Sequence, residues 1–398
     1  MNTIWRRSTW LAAGLAVLVA CGGADSPPAA AGTPPAAAPP VPPRLEAFAT
    51  GLDTPWGMAF LPDGSMLVTE RGGRMRRVSA DGKTVSAPLA GLPPVAAAGQ
   101  GGLLDVVIDP DFATDPWIYW SYAEPGSGAE AGLRGTAVAR GRLVGDSLQD
   151  VQLVFRQSPK YSSGQHFGSR LVFDRDKQLF VTLGDRGQDS PSSPGTMHAQ
   201  NPGSGLGKVF RLQRDGRPAA GNPIIAGGLP GLWSVGHRNV QGAALHPQTG
   251  ELWLTEHGPQ GGDELNRVLP GRNYGWPLRS YGCPYGSLPF GDGCRVGGGV
   301  HAPAYEEPLS IWVPTSVAPS GMAFYTASRH PQWTGSLFVG ALAGRSLWRL
   351  TLTGNAVTAR ESLFDSLGER IRDVRQGPDG RLYVLTDSPS GRILRSEP

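Results

Sequence analysis

One arrangement of apolar and polar positions returns along the chain. A small apolar entry leads into an alternating hydrophobic stretch and a Pro-Asp-Gly type of turn. A second apolar stretch follows and ends in Thr-Asp or Thr-Glu. The pattern is written WGMAFLPDGSMLVTERGGRMRRV at Trp56–Val78, LLDVVIDPDFATDPWIYWSYAE at Leu103–Glu124 and SRLVFDRDKQLFVTLGD at Ser169–Asp185. It returns at Gln241–Gly258, in longer form at Ser320–Leu350, and closes at Ile371–Arg395. The turn reverses the chain and the alternation pleats each side, so each copy predicts a hairpin, with a third strand such as GRMRRV or RSLWRL to follow. One such unit cannot bury both faces, so the units must stack. Six copies at irregular spacings of roughly 45 to 75 residues, with no long amphipathic helix between them, predict an all-β, six-bladed β-propeller. A pair of β-sandwiches is the alternative.

In a propeller the chemistry sits at one end of the central channel, in the loops that enter the innermost strands. Here those loops carry polar groups beside glycines: AGQGGLL holds Gln100, SGQHFGS holds His166, GHRNVQG holds Arg238, Asn239 and Gln241, and GERIRDV holds Arg370 and Arg372. Taken singly, each reads as a surface or turn residue. Gathered on one rim, they make a pocket with one imidazole, three guanidiniums and several amides. Planar guanidinium forks suit carboxylates or phosphates, and the histidine suits a general base. With no nucleophilic Ser or Cys motif, the set points to cofactor chemistry in place of hydrolysis. A further segment, TEHGPQGGDE, offers Gly-Pro carbonyls and, after them, two adjacent acids.

Composition fits the same picture. The 398 residues include 57 glycines and 37 prolines, suited to short strands and tight turns, and a net charge of +3 gives no basic tract for nucleic acid. Arg6 and Arg7 precede an apolar run from Trp10 to Ala20, too short to span a bilayer. The end of that run, LVAC at Leu18–Cys21, resembles a bacterial lipobox, which implies export to the periplasm, cleavage before Cys21 and a lipid anchor there. Ordinary export with loss of Cys21 is the alternative. The expected organisation is a signal peptide at 1–20, an Ala/Pro-rich tether at 21–43 and a propeller at 44–398. Cys283 and Cys294 enclose a Gly/Pro-rich loop, and in an exported protein they predict a disulfide, with a metal pair as the other possibility.

Across nearly all of Leu45–Arg395 the chain resembles the soluble pyrroloquinoline-quinone-dependent aldose and glucose dehydrogenases, the glucose/sorbosone dehydrogenase family. The motifs that carry the resemblance are GQGGLLDV, HFGSRLVFD…LFVTLGDRG, GHRNVQG, TEHGPQGGDELN, NYGWP, APSGMAFY and RIRDV…GPDGRLYVLTD, in that order. The resemblance implies a six-bladed propeller that oxidises aldoses to lactones with pyrroloquinoline quinone (PQQ) and Ca²⁺. It implies His166 as base, Arg238 beside the reacting quinone carbonyl, and Gln100 as a substrate partner. Asn239, Gln241, Arg370 and Arg372 would meet the cofactor. The carbonyls of Gly258 and Pro259 would hold its calcium, and Glu264 with the carbonyl of Tyr274 a second, structural one. Three departures stand out. Gln165 replaces an aspartate before the histidine, Ala343 replaces a cofactor lysine with Arg345 as a nearby substitute, and Thr315 and Ser316 compete for one cofactor contact. A non-catalytic carbohydrate- or partner-binding propeller and a calcium-dependent lactonase are the competing readings. The chain has no C-x-x-C-H haem motif, so electrons would leave to an external acceptor.

Overall fold

The computed structural model describes residues 43–192, 195, 197–288 and 290–398. The expected signal peptide, Cys21 and nearly all of the expected tether lie outside them. The described chain forms six antiparallel sheets, five of four strands and one of three. Their innermost strands are Pro55–Phe60, Leu103–Ile108, Gly168–Phe173, Val240–Leu245, Pro319–Phe324 and Ile371–Gln376, which define blades 1 to 6. Each begins in or beside one of the six repeated segments. The β-sandwich alternative is excluded. Blade 6 takes its outermost strand, Arg44–Leu52, from the start of the described chain, where it pairs antiparallel with Gly391–Glu397. That pairing closes the ring.

The core lies between blades, as expected for units that cannot bury their faces alone. Six apolar clusters each join two neighbouring blades. Second strands such as Met66–Glu70 are buried along their whole length because alternate side chains serve both neighbours. Met66 and Val68 pack toward blade 6, and Leu67 toward blade 2.

Every blade also carries a register shift between its first and second strands, near the start of the first. Such a bulge re-aims side chains and leaves backbone groups unpaired. The Thr that ends the repeated second strand supplies a partner. Gly57 N donates to Thr69 Oγ1 and Arg170 N to Thr182 Oγ1, both at 2.9 Å. In blade 2 Ser121 takes that place under Asp105 N. The acid beside the Thr catches the entering loop: Asp53 N donates to Glu70 and Arg238 N to Glu256.

The bulged residues converge on the axis. Arg170 is 3.2 Å from Asp105 and 3.0 Å from Asp373, and it donates to the carbonyls of Gln241 (2.6 Å) and Arg372 (3.1 Å). Asp373 also accepts from Met58 N, and a Cβ on Gly321 would lie 2.0 Å from Asp373 Oδ1. All six blades therefore meet around one guanidinium, which plugs the channel.

Candidate active site

At the loop end of the channel lies a cavity of about 660 Å³ walled by Gln100, His166, Arg238, Gly258, Pro259 and Ser316 among others. Loops that enter the first strands and loops that join second to third strands emerge at the same end of an antiparallel blade. The HGP turn therefore faces the His166 loop. The turn doubles back so tightly that a Cβ on Gly258 would lie 2.3 Å from two carbonyl oxygens, which explains glycine there.

His166 is buried, and its amide is held by Gln100 Oε1 at 2.8 Å. Its Nδ1 lies 2.6 Å from Asp185 Oδ1, while the Trp276 indole donates to Asp185 Oδ2 at 2.7 Å. Burial pushes the Asp185 carboxyl up, but the His166 ring and the Arg238 charge outweigh it and hold the group below the usual range. With Nδ1 committed to a carboxylate, Nε2 is the nitrogen free to take a proton. His257, on the same wall, differs. Its Nε2 bonds the Pro319 carbonyl at 2.8 Å and burial pushes it down to about 3, so it stays neutral.

Arg238 stacks over Trp276 at 5.0 Å and donates to the Gly258 carbonyl at 2.6 Å, while its buried Nε has no protein partner. From His257 a hydrogen-bonded chain runs through Asn239, Gln241 and Arg372. Arg370 and Arg372 then converge on one oxygen of Asp387 at 2.9 and 3.1 Å. They meet through the bulge and Asp387, not through the pleat of a regular strand. Burial pushes Arg372 down to about 10, partly offset by Asp387, and its Nε is unpartnered.

Arg345 is exposed, its one hydrogen bond among the described residues going to the Gly368 carbonyl at 3.4 Å. Like Asn239, Gln241, Arg370 and Arg372 it is not among the residues that wall the cavity, but unlike them it stands outside their hydrogen-bonded chain. Ser316 and Thr315 both reach the cavity, but Ser316 donates its hydroxyl to Asp263 at 2.7 Å. Ser316, the expected cofactor contact, thus has its hydroxyl proton committed to the protein, while Thr315 is exposed on the same wall. Gln165 is exposed and offers the base no carboxylate.

Glu264 and Tyr274 line a separate void of about 10 Å³ that shares Arg238, His257 and Gly258 with the main cavity. Glu256 and Glu264 face each other across paired strands, and burial, then the Glu256 charge, pushes Glu264 well up. Two carboxylates around a void the size of one atom suit a hard cation. Cys283 and Cys294 form the expected disulfide, Cα–Cα 5.2 Å, and their loop brings Tyr285 to the cavity.

Sequence reasoning missed Asp185, Asp387 and Asp263. The first two stand where the repeat ends in an acid, a signal visible in the chain. Asp263 binds Gly258 N, Ser316 Oγ and the amides of Val317 and Ala318, joining two loops that local sequence could not connect.

Residues 52–395 match the glucose/sorbosone dehydrogenase family model. The chain is 46% identical to the aldose sugar dehydrogenase YliI of Escherichia coli over 90% of its own length and 94% of that protein's. The apo soluble aldose sugar dehydrogenase of Escherichia coli superposes with a TM-score of 0.81 at 44% identity, covering 90% of this chain and all of the other. A PQQ-bound aldose sugar dehydrogenase from Streptomyces coelicolor gives a TM-score of 0.72 at 31% identity, covering 90% of this chain and 99% of that one. With the family match spanning most of the chain and the fold shared, this chain is a sugar dehydrogenase belonging to the PQQ-dependent glucose/sorbosone dehydrogenase family.

Proposed function

We propose that the protein oxidises aldoses at the anomeric carbon to lactones, with PQQ and Ca²⁺ in the 660 Å³ cavity. The observation that carries this is His166, oriented by Asp185, sharing one cavity with Arg238 and the Gly258–Pro259 carbonyls. The partnerless Nε atoms of Arg238 and Arg372 and the surplus of guanidiniums suit an anionic, multi-carboxylate cofactor. When bound, the quinone supplies a hydride acceptor and its calcium a Lewis acid.

The chain's own groups do the rest. His166 Nε2 takes the proton from the anomeric hydroxyl as C1 loses its hydride, and Asp185 stabilises the imidazolium. Arg238 places positive charge where negative charge develops. Asn239, Gln241, Arg370, Arg372 and the Thr315 hydroxyl hold the cofactor, and Gln100 orients the sugar and the base loop. The Gly258 and Pro259 carbonyls present oxygens to the cofactor's cation. Glu264 and the Tyr274 carbonyl hold a second ion. The remaining expectations complete the reading: export, a lipid anchor at Cys21 and an external electron acceptor.

Mature protein mixed with PQQ and Ca²⁺ should reduce an artificial acceptor when offered an aldose panel. His166→Gln should lower turnover by about 10³-fold, within the usual range for a lost general base, with quinone binding kept. A wild type that binds no quinone ends the dehydrogenase mechanism. One that binds quinone but oxidises no aldose ends the substrate assignment.

A further inference from the structure

Next to Asp185 stands Arg186, fully buried and without an ion-pair partner among the described residues. Its guanidinium donates to three main-chain carbonyls: Nε to Gln165 at 2.9 Å, Nη1 to Arg134 at 2.8 Å, and Nη2 to Ser163. Its Cζ sits 3.6 Å from the centroid of the Phe167 ring, and its own amide donates to the His166 carbonyl at 3.2 Å. These contacts reach the residues on both sides of the histidine.

Burial pushes this guanidinium down to about 9, the Arg134 charge adding to the effect and the Asp185 charge opposing it. A buried cation with no direct ion pair is costly. Its return is geometric, because a rigid fork fixes several oxygens at once. His166 and Arg186 both have left-handed backbone, φ 48° and 58°. Such conformations persist in non-glycine residues only where the surroundings over-determine them.

We propose that Arg186 is a positioning residue for the reaction: it clamps residues 163–167 so that the His166 ring stays on Asp185 and faces the cavity. The proposal rests on reading His166 as the base.

The test compares wild type with Arg186→Gln and Arg186→Lys, each reconstituted with PQQ and Ca²⁺. In Arg186→Gln, kcat for aldose oxidation should fall about 10- to 100-fold, the scale of a slightly misplaced catalytic group. KM and the quinone titration should stay within about twofold, and Arg186→Lys, which keeps three N–H donors, should recover part of the loss. Amide exchange by mass spectrometry, without substrate, should speed up at 163–168 and not in blades 1 and 5. Wild-type kcat in Arg186→Gln, or unchanged exchange at 163–168, overturns the proposal. Should Arg186→Gln not fold, Phe167→Leu removes the ring beneath the guanidinium and should give the same pattern more weakly. A wild type inert toward aldoses sinks the His166 mechanism alone, because the exchange measurement still decides the clamp.

Discussion

Two charged regions share the propeller axis, and they are built differently. In the plug, Arg170 and Arg375 face Asp105 and Asp373, and each charge has an opposite one within 3.2 Å. Beyond it the channel opens into an apolar mouth of about 290 Å³ lined by residues such as Phe60, Val107 and Phe173. Toward the active-site end Arg370 and Arg372 share one oxygen of Asp387, and among the described residues Arg238 binds only carbonyls and a distant hydroxyl while the buried Nε atoms of Arg238 and Arg372 have no partner. Matched charges hold blades together. Unmatched ones leave capacity for an anionic ligand. Residues of the same kind thus take opposite roles according to whether the blades bring them partners.

The largest effect should come from unbalancing the plug. Arg170→Met leaves two buried carboxylates with one guanidinium between them, and breaking a buried pair costs about 3–5 kcal/mol. Urea unfolding of the apo protein should show that loss. A midpoint equal to wild type would remove the distinction between the regions. Arg238→Ala should do the reverse, changing stability by less than about 1 kcal/mol. Quinone affinity should nonetheless drop about tenfold or more, the scale of a charge-assisted hydrogen bond. Equilibrium titration followed by absorbance checks it.

The smallest effect concerns Asp387, the carboxylate between the two arginines. Burial pushes it up, but Arg372 and Arg370 prevail and hold it below the usual range. Its stabilisation is therefore present above the unfolded-state value and lost as pH falls through the lower folded-state value. The gap in unfolding midpoint between wild type and Asp387→Asn should be widest near neutrality and shrink below about pH 4.

Much of this was legible in the chain. The six hairpins follow from alternation and turn chemistry, which act over a few residues, and the inner strands lie where the repeats place them. His166, Arg238 and Gln100 stood out because each lies in an unusual loop that enters an inner strand, and the HGP turn because it leaves a hairpin with Gly-Pro carbonyls beside acids. Less was visible for Arg345, whose closeness in sequence to the family's lysine position does not bring it to the cavity wall. Asp185 was hidden because its partner lies 19 residues away, in the loop that enters the neighbouring strand.

The sequence by itself determined the strands, the turns, the number of blades and the residue types available to the rim, since these depend on local periodicity and backbone preference. Only the tertiary structure decided which charges found partners. Register shifts at the head of every blade turn Arg170, Gln241 and Arg372 toward the axis, and ring closure by Arg44–Leu52 fixes their distances. Hydrogen bonds and ion pairs form over about 3 Å, so a one-residue shift separates a neutral plug from an open, cationic site.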